Sequence, residues 1–180
     1  MNFKVTNLVV KTTVGEPIDL ASMGCILHRL KYNPERFRGA SLKLDAGGVA
    51  TIWPNGTLVF AGCKSMQQVE ECGKKLKKIL KNFGYVVGEL NYTICSVASV
   101  CNIAEQIVLD DLYKSLQHVV PMIYLPEVFS KLTLKYKTGT LCVFHTGKIV
   151  ILGTKSVGDS LDIANDIANI GLYNLFNNKM

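Results

Sequence analysis

Two glycine–lysine segments have a composition that could bind phosphate. The first, GTLVFAGCKS, covers residues 56–65, and the second, GKIVILGTKS, covers residues 147–156. A P-loop has five positions from its first glycine to its second, with the lysine directly after. Here six positions separate the glycines, one further residue precedes each lysine, and the segment itself has the composition of a strand. A nucleotide-binding loop is therefore not predicted.

The thiol and imidazole groups are scattered along the chain. Its six cysteines form no Cys-x-x-Cys pair, and its three histidines lie far from one another. Zinc sites and disulfide frameworks need closer spacing, and catalysis needs a nucleophile, a base and an orienting group. We expect reduced cysteines that pack as small hydrophobic residues, with no metal, no cofactor and no enzymatic activity.

Composition and charge limit the class of protein. An apolar fraction of 48% is enough for a sizeable core, and the net charge of +6 is compatible with an acidic partner. The N-terminal residues lack the unbroken apolar run of a signal peptide, and no segment has the length of a membrane span. A soluble intracellular protein is the expectation.

The two glycine–lysine segments are copies of each other. Gly, Val, Gly, Lys and Ser recur at matching places 91 residues apart, and NPERF (33–37) matches LPEVF (125–129) at an offset of 92. Trp53 precedes the first segment by three residues, as Phe144 precedes the second. The sequence predicts one domain over residues 1–180 built from two repeats, 1–89 and 90–180.

Hydrophobic periodicity predicts an α+β fold in which each repeat is an antiparallel sheet backed by helices. Helices are expected from Asp19, from Ser65 to Phe83, over 109–116 and over 156–176, the last with Leu161, Ala164, Ile167, Ala168 and Leu175 inward. Strands are expected at 6–11, 40–44, 48–53, 57–61, 92–97, 131–137, 141–144 and 148–152.

Period-two alternation assigns the two faces of these strands. Leu58 and Phe60 are expected to face the helices, as are Ile149 and Ile151. The opposite face then carries Thr51, Trp53, Thr57, Val59, Ala61, Cys142, Phe144, Lys148, Val150 and Leu152. A face this apolar in a soluble chain needs a partner to cover it.

The chain contains the motifs YNPERF and YLPEVF and the doubled G-x-x-V-x-x-G-x-K-S. These motifs give it a close resemblance to the TATA-binding protein family. The resemblance extends from about Thr6 to the last helix. It implies a saddle of two pseudo-symmetric repeats with helices on the convex side, and a transcription initiation factor that binds and bends A·T-rich promoter DNA through the minor groove. It also implies location in the nucleus, or in a cytoplasmic viral factory if the source is a large DNA virus.

Specific residues acquire roles from this resemblance. The aromatic wedges between base steps would be Phe37 with Trp53 and Phe129 with Phe144. The minor-groove face would comprise Asn7, Val9, Thr51, Val59, Ala61, Ser96, Ala98, Cys142, Val150 and Leu152. Phosphates would meet Arg36, Arg38, Lys43, Lys64, Lys135, Lys137, Lys148 and Lys155.

The resemblance also implies protein partners. Proteins similar to transcription factors IIB and IIA and the RNA polymerase machinery are expected as partners. Glu127 and Val128 would lie at the contact with the protein similar to factor IIB. Lys74 and Lys78 lie on a helix that resembles the basic convex helix of the family, which binds regulators.

The sequence departs from the family at the centre of the minor-groove face. The family has an asparagine and a threonine there in each repeat, whereas this chain has Asn7 with Ala61, and Ser96 with Leu152. Shape and deformability of DNA are then expected to contribute more to any A·T preference. The alternative is that the same fold acts as a protein-interaction module or regulator without sequence-specific DNA bending.

Overall fold

The structure is a computed structural model that describes residues 2–103 and 105–176. These residues divide into two compact units. We call residues 7–95 the first unit, and residues 2–6 together with the described part of 96–176 the second unit.

The first unit is an antiparallel sheet with two helices. Its strands run in the order β2-β3-β4-β5-β1. Helix α1 packs against β2, and α2 packs against β5. The elements are β1 (Asn2–Thr13, of which residues 2–6 belong to the second unit), α1 (Leu20–Ile26), β2 (Leu30–Asn33), β3 (Phe37–Lys43), β4 (Val49–Ile52), β5 (Thr57–Cys63) and α2 (Met66–Asn82).

The second unit repeats this arrangement. Its strands run in the order β6-β10-β9-β8-β7, with α4 against β10 and α3 against β8. The elements are β6 (Thr93–Asn102, of which residues 93–95 belong to the first unit), α3 (Leu109–Leu116), β7 (Met122–Tyr124), β8 (Lys131–Tyr136), β9 (Gly139–Phe144), β10 (Lys148–Thr154) and α4 (Val157–Ile170).

The alternation of the strands creates the core of each unit. Leu58 and Phe60 on β5 are fully buried, as are Ile149 and Ile151 on β10. The residues between them, such as Val59 and Val150, keep part of their surface exposed. One face of each sheet is therefore packed under helices, and we call the other the open face of that unit.

The doubled glycines have conformational reasons. Gly62 and Gly153 both have φ of +82°, and each lies where the pairing register with the neighbouring strand shifts. A β-bulge of this kind inserts one extra residue and favours glycine, because other side chains clash at positive φ. The bulge turns Cys63 and Thr154 into the core, directly before the lysine and the serine that caps the next helix.

Helix boundaries follow from local capping. The side chain of Asp19 accepts hydrogen bonds from the N–H groups of Ala21 and Ser22, and Ser65 and Ser156 cap α2 and α4 in the same way. The predicted closing helix was too long, because α4 ends before Gly171, which has φ of +81°.

The inward face of α4 also differs from the prediction. Leu161 and Ala168 are exposed, whereas Ser160, Ile163, Ala164 and Ile167 face the core.

Strands β2 and β7 were not predicted, and they are only four and three residues long. Such short strands form by pairing with β3 and β8, and their own composition does not indicate them.

We predict that a polar pair in the core of the second unit acts as one energetic unit. Ser99 on β6 and Ser160 on α4 are fully buried, and their hydroxyl oxygens lie 2.5 Å apart. Ser160→Ala leaves the Ser99 hydroxyl without this partner, so it should lower the free energy of unfolding by about 1–3 kcal/mol.

The double variant Ser99→Ala, Ser160→Ala should cost clearly less than the sum of the two single changes in urea unfolding. At the equivalent positions the first unit has buried valines, Val10 and Val69, so the fold does not require polar groups there. Costs that add within error would contradict the coupling.

Candidate nucleic-acid interface

The open face of the first unit brings together the predicted minor-groove residues from three strands. In the pairing register, Thr51 on β4 lies beside Val59 on β5, and Val49 lies beside Ala61. All the predicted residues of this unit are partly exposed, namely Asn7, Val9, Thr51, Val59 and Ala61. The residues that alternate with them, such as Leu8, Ala50 and Phe60, are buried, so the five share one accessible surface.

The second unit presents an equivalent surface. Val150 on β10 lies beside Val100 on β6 and Cys142 on β9, and Leu152 lies beside Ala98. Ser96, Ala98 and Val150 are partly exposed, and Leu152 is 38% exposed. Leu152 therefore adds an accessible apolar side chain at a position where a hydroxyl would give polar readout.

Cys142 needs a correction. It lies on the predicted face by register, but it is only 5% exposed, and the hydroxyl of Thr133 on β8 donates to its Sγ at 3.9 Å. The small thiol is covered by neighbours on this face. Cys142 therefore packs beneath the exposed side chains of this face and has little accessible surface for contact with a ligand.

The side chain of Asn7 is oriented by the bulge in β5. Its Oδ1 accepts a hydrogen bond of 2.7 Å from the backbone N–H of Gly62. Because the amide oxygen is used in this way, the NH₂ group is the part of the side chain left to donate to a ligand. The minor groove of A·T pairs presents only acceptors, N3 of adenine and O2 of thymine, so a donor at this place is chemically suitable.

The first aromatic pair is preformed. The rings of Phe37 and Trp53 lie 5.1 Å apart with an interplanar angle of 65°, and Phe37 is 48% exposed. A Cβ atom added at Gly39 would lie 2.8 Å from the Phe37 ring, so the ring covers this glycine. Because residue 39 has no side chain, it leaves room for the aromatic pair. This role of Gly39 was not predicted from the sequence.

The second aromatic pair is organised by lysines instead. Phe129 is 60% exposed, and Nζ of Lys131 lies 5.5 Å from the centre of its ring. Lys131 is also the strand partner of Phe144, whose ring has Nζ of Lys148 at 5.9 Å. Cation–π contacts of this kind stabilise exposed rings by about 0.5–1 kcal/mol. Lys131 occupies the repeat position of Gly39, and this offset was the signal that could have identified both.

The predicted phosphate-binding cations are all exposed, but strand alternation or an ion pair directs two of them away from an open face. Arg38 follows Phe37 on β3, and its alternation matches that of the buried Ala40 and Leu42 on the helix side. Nζ of Lys137 lies 2.5 Å from Oδ2 of Asp166 on α4, and this hydrogen-bonded carboxylate raises the pKa of Lys137. We therefore correct both assignments. The other six are Arg36, Lys43, Lys64, Lys135, Lys148 and Lys155.

The predicted partner-binding residues are accessible. Glu127 and Val128 lie in the loop between β7 and β8, where Val128 is 66% exposed and Leu125 is 55% exposed. Lys74 and Lys78 are exposed on α2. An apolar loop with one acid and a basic helix are two chemically distinct docking surfaces.

The placement of the Cys, His, Asp and Glu side chains bears on metal binding and on thiol chemistry. In 2–103 and 105–176, no three His, Cys, Asp or Glu side chains are placed to hold a metal ion. Burial raises the pKa of Cys63 to about 12 and that of Cys101 to about 11, which suppresses the nucleophilic thiolate. Within the same residues, no helix is long and apolar enough to cross a membrane.

We predict that Gly39 controls the geometry of the first aromatic pair. Gly39→Ala places a methyl group against the Phe37 ring, which must then move away from Trp53. Trp53 is the single tryptophan of the chain, so its emission should shift to longer wavelength and its acrylamide quenching should increase. Phe37→Ala should give the same change, and Phe129→Ala in the second unit should give none. Emission unchanged in Gly39→Ala but shifted in Phe37→Ala would contradict this role of the glycine.

Comparison with known proteins accounts for this combination of fold and surface. A family model described as "Transcription factor TFIID (or TATA-binding protein, TBP)" matches residues 2–83 and again residues 91–171, which confirms the internal repeat. TATA-box-binding protein 2 of Entamoeba histolytica is 30% identical over 164 residues, which cover 89% of this chain and 76% of the relative.

Archaeal proteins are similar to the same extent. The TATA-box-binding protein of Methanocaldococcus jannaschii is 32% identical over 161 residues, covering 87% of this chain and 86% of the relative. The solved structure of the Methanococcus jannaschii TBP superposes with a TM-score of 0.83 at 29% identity, covering 93% of this chain and 96% of that one. The predicted fold class is thereby confirmed. The chain belongs to the TATA-binding protein family, which consists of DNA-binding transcription factors and not of enzymes.

Proposed function

We propose that this chain binds A·T-rich promoter DNA through the minor groove, with the open faces of both units against the duplex, and that it bends the DNA. The observation that carries the proposal is the aromatic pair found at the same repeat position in each unit. Two of these rings, Phe37 and Phe129, are about half exposed in the structure. An exposed apolar ring at the end of a sheet face can enter a base step, since unstacking costs only a few kcal/mol per step.

The rest of each open face supports binding of the same ligand. Valine and alanine side chains suit the sugar walls and floor of a widened minor groove, and the exposed cations suit the phosphates beside it. Each phosphate contact should contribute about −0.9 to the slope of log K against log salt. Binding is therefore expected to weaken steeply as salt increases.

The sequence preference should be broad within A·T-rich DNA. Asn7 and Ser96 are the polar side chains at the central positions, whereas the side chains of Ala61 and Leu152 cannot form hydrogen bonds. Discrimination is then expected to depend mainly on groove shape and on how easily the base steps deform. Flexible T-A steps should be favoured for that reason.

The family as a whole acts with the general transcription machinery. For this chain we propose that the loop containing Glu127 and Val128 binds a protein similar to transcription factor IIB. We also propose that the first repeat, including its basic helix α2 with Lys74 and Lys78, binds a protein similar to factor IIA or a regulator. The site of action would be the nucleus, or a cytoplasmic viral factory if the source is a large DNA virus.

A second candidate function is a protein-interaction module that keeps the fold without bending DNA. The observation that favours it is the apolar character of Ala61 and Leu152, the latter 38% exposed. Such a module would bind its partner with little dependence on salt.

Energy transfer between the ends of a doubly labelled duplex of about 20 base pairs tests the two candidates. We expect transfer to increase when the protein binds an A·T-rich duplex, to increase less with a G·C-rich one, and to weaken with salt. Phe37→Ala and Phe129→Ala should each reduce the increase, because each removes one wedge. Tyr173→Ala, which removes a 41% exposed aromatic ring from outside the open faces, is the matched control.

A duplex that is bound but remains straight, with no effect of either phenylalanine variant, would contradict bending by wedges. Weak binding to both duplexes would contradict the proposed DNA-binding function and favour the protein-interaction module.

A further inference from the structure

Besides Gly39 and Lys131, the two repeats differ at the first residue of the strand that follows each aromatic hairpin. In the second unit, Lys148 begins β10 on the open face, directly after the hairpin that carries Phe144. The matching residue of the first unit is Thr57, which begins β5 after the hairpin that carries Trp53. A phosphate contact by Lys148 therefore has no counterpart on the equivalent strand of the first unit.

Lys11 lies next to Thr57, the position that has no lysine in the first unit. On β1 it pairs with Val59, while Thr13 pairs with Thr57, so Lys11 and Thr57 are diagonal neighbours across the two strands. Diagonal neighbours in a sheet are about 7–8 Å apart, within reach of a long side chain. A lysine at residue 11 can thus place its ammonium group in the region where a lysine at residue 57 would place it.

The side chain of Lys11 is available on the open face. Val10 is fully buried and Thr12 is 6% exposed, whereas Lys11 between them is exposed. Among the residues that the structure describes, no carboxylate forms an ion pair with it. Within the described residues, its charge is therefore not neutralised by a neighbouring carboxylate.

In the second unit, the lysine and the uncharged residue occupy the opposite strands. The residue of β6 that corresponds to Lys11 is Val100, because Lys11 pairs with Val59 and Val100 pairs with the equivalent Val150. Each unit therefore has one lysine at this pair of positions on its two central strands. The first unit has it on β1 with threonine at the start of β5, and the second unit has it on β10 with valine on β6.

We propose that Lys11 is a phosphate-binding residue of the first unit and replaces the cation that the repeat would place at residue 57. This inference rests on the proposed function, since it assigns a further contact within the same DNA-binding surface. Alternation along β1 places Lys11 on the same face as Asn7 and Val9.

An exchange of charge between the two strands tests the proposal. The probe is a fluorescently labelled A·T-rich duplex of about 20 base pairs, titrated with the full chain at several KCl concentrations. Lys11→Val copies the second unit and should reduce the magnitude of the salt slope by about 0.9, which corresponds to about eightfold weaker binding at 0.1 M salt.

The double variant Lys11→Val, Thr57→Lys should restore both the slope and the affinity, because it moves the cation to the position used in the second unit. The reciprocal pair in the second unit, Lys148→Thr and its rescue by Val100→Lys, should behave in the same way. Lys75→Ala removes an exposed lysine from α2 and should leave the slope unchanged.

The outcomes separate this proposal from the proposed function. A wild-type chain that binds the duplex, together with a Lys11→Val variant of unchanged slope, overturns the role of Lys11 and leaves DNA binding intact. Weaker binding that Thr57→Lys fails to restore also overturns it, since a structural role of Lys11 would give that result. A wild-type chain that does not bind the duplex contradicts the proposed function itself.

Discussion

The surface of this protein depends on the fact that helices cover only one face of each sheet. Burial of residues such as Phe60 and Ile151 under α2 and α4 forms the core of each unit. The same alternation leaves Val59 and Val150 partly exposed on the other side. Exposed apolar rows of this kind are costly in water unless a partner covers them. The open faces are therefore both a consequence of the fold and the basis of the proposed DNA binding.

Two bulges connect these faces to the charged residues around them. Gly62 and Gly153 allow a strand to take one extra residue, so that the residue after each glycine turns into the core. The next residue, Lys64 or Lys155, is exposed, and the serine that follows begins a helix. In the first unit the N–H of Gly62 also holds the Asn7 amide. One backbone irregularity thus positions a core residue, a cation, a helix cap and a polar group of the open face.

Much of this could be predicted from the sequence because the chain contains the pattern twice. Strands such as β10 and helix α3 have strong periodicity and clear flanking residues, and their predicted positions agree with the structure. The inward face of α4 was predicted only in part, because apolar residues occur on more than one side of the helix. Ala164 and Ile167 are buried as predicted, whereas Leu161 and Ala168 are exposed. Strand β7 depends on pairing with β8 and has no local pattern of its own.

The site was harder to predict than the fold, because it depends on contacts between strands. Lys137 has the charge expected of a phosphate-binding residue, but a turn places it beside Asp166 on α4. Cys142 is on the predicted face but lies beneath its neighbours. The residue types of Gly39 and Lys11 do not by themselves indicate a role, and their significance comes from the ring beside one and the strand register of the other.

Replacing the A·T pairs of a bound duplex by I·C pairs tests the central claim most directly. An I·C pair presents the same acceptors as A·T in the minor groove but resembles G·C in the major groove, since inosine lacks the N2 amino group of guanine. If the open faces bind the minor groove, the I·C duplex should bind and bend almost as the A·T duplex does, while the G·C duplex should bind and bend less. An I·C duplex that behaves like the G·C one would contradict minor-groove binding by this chain.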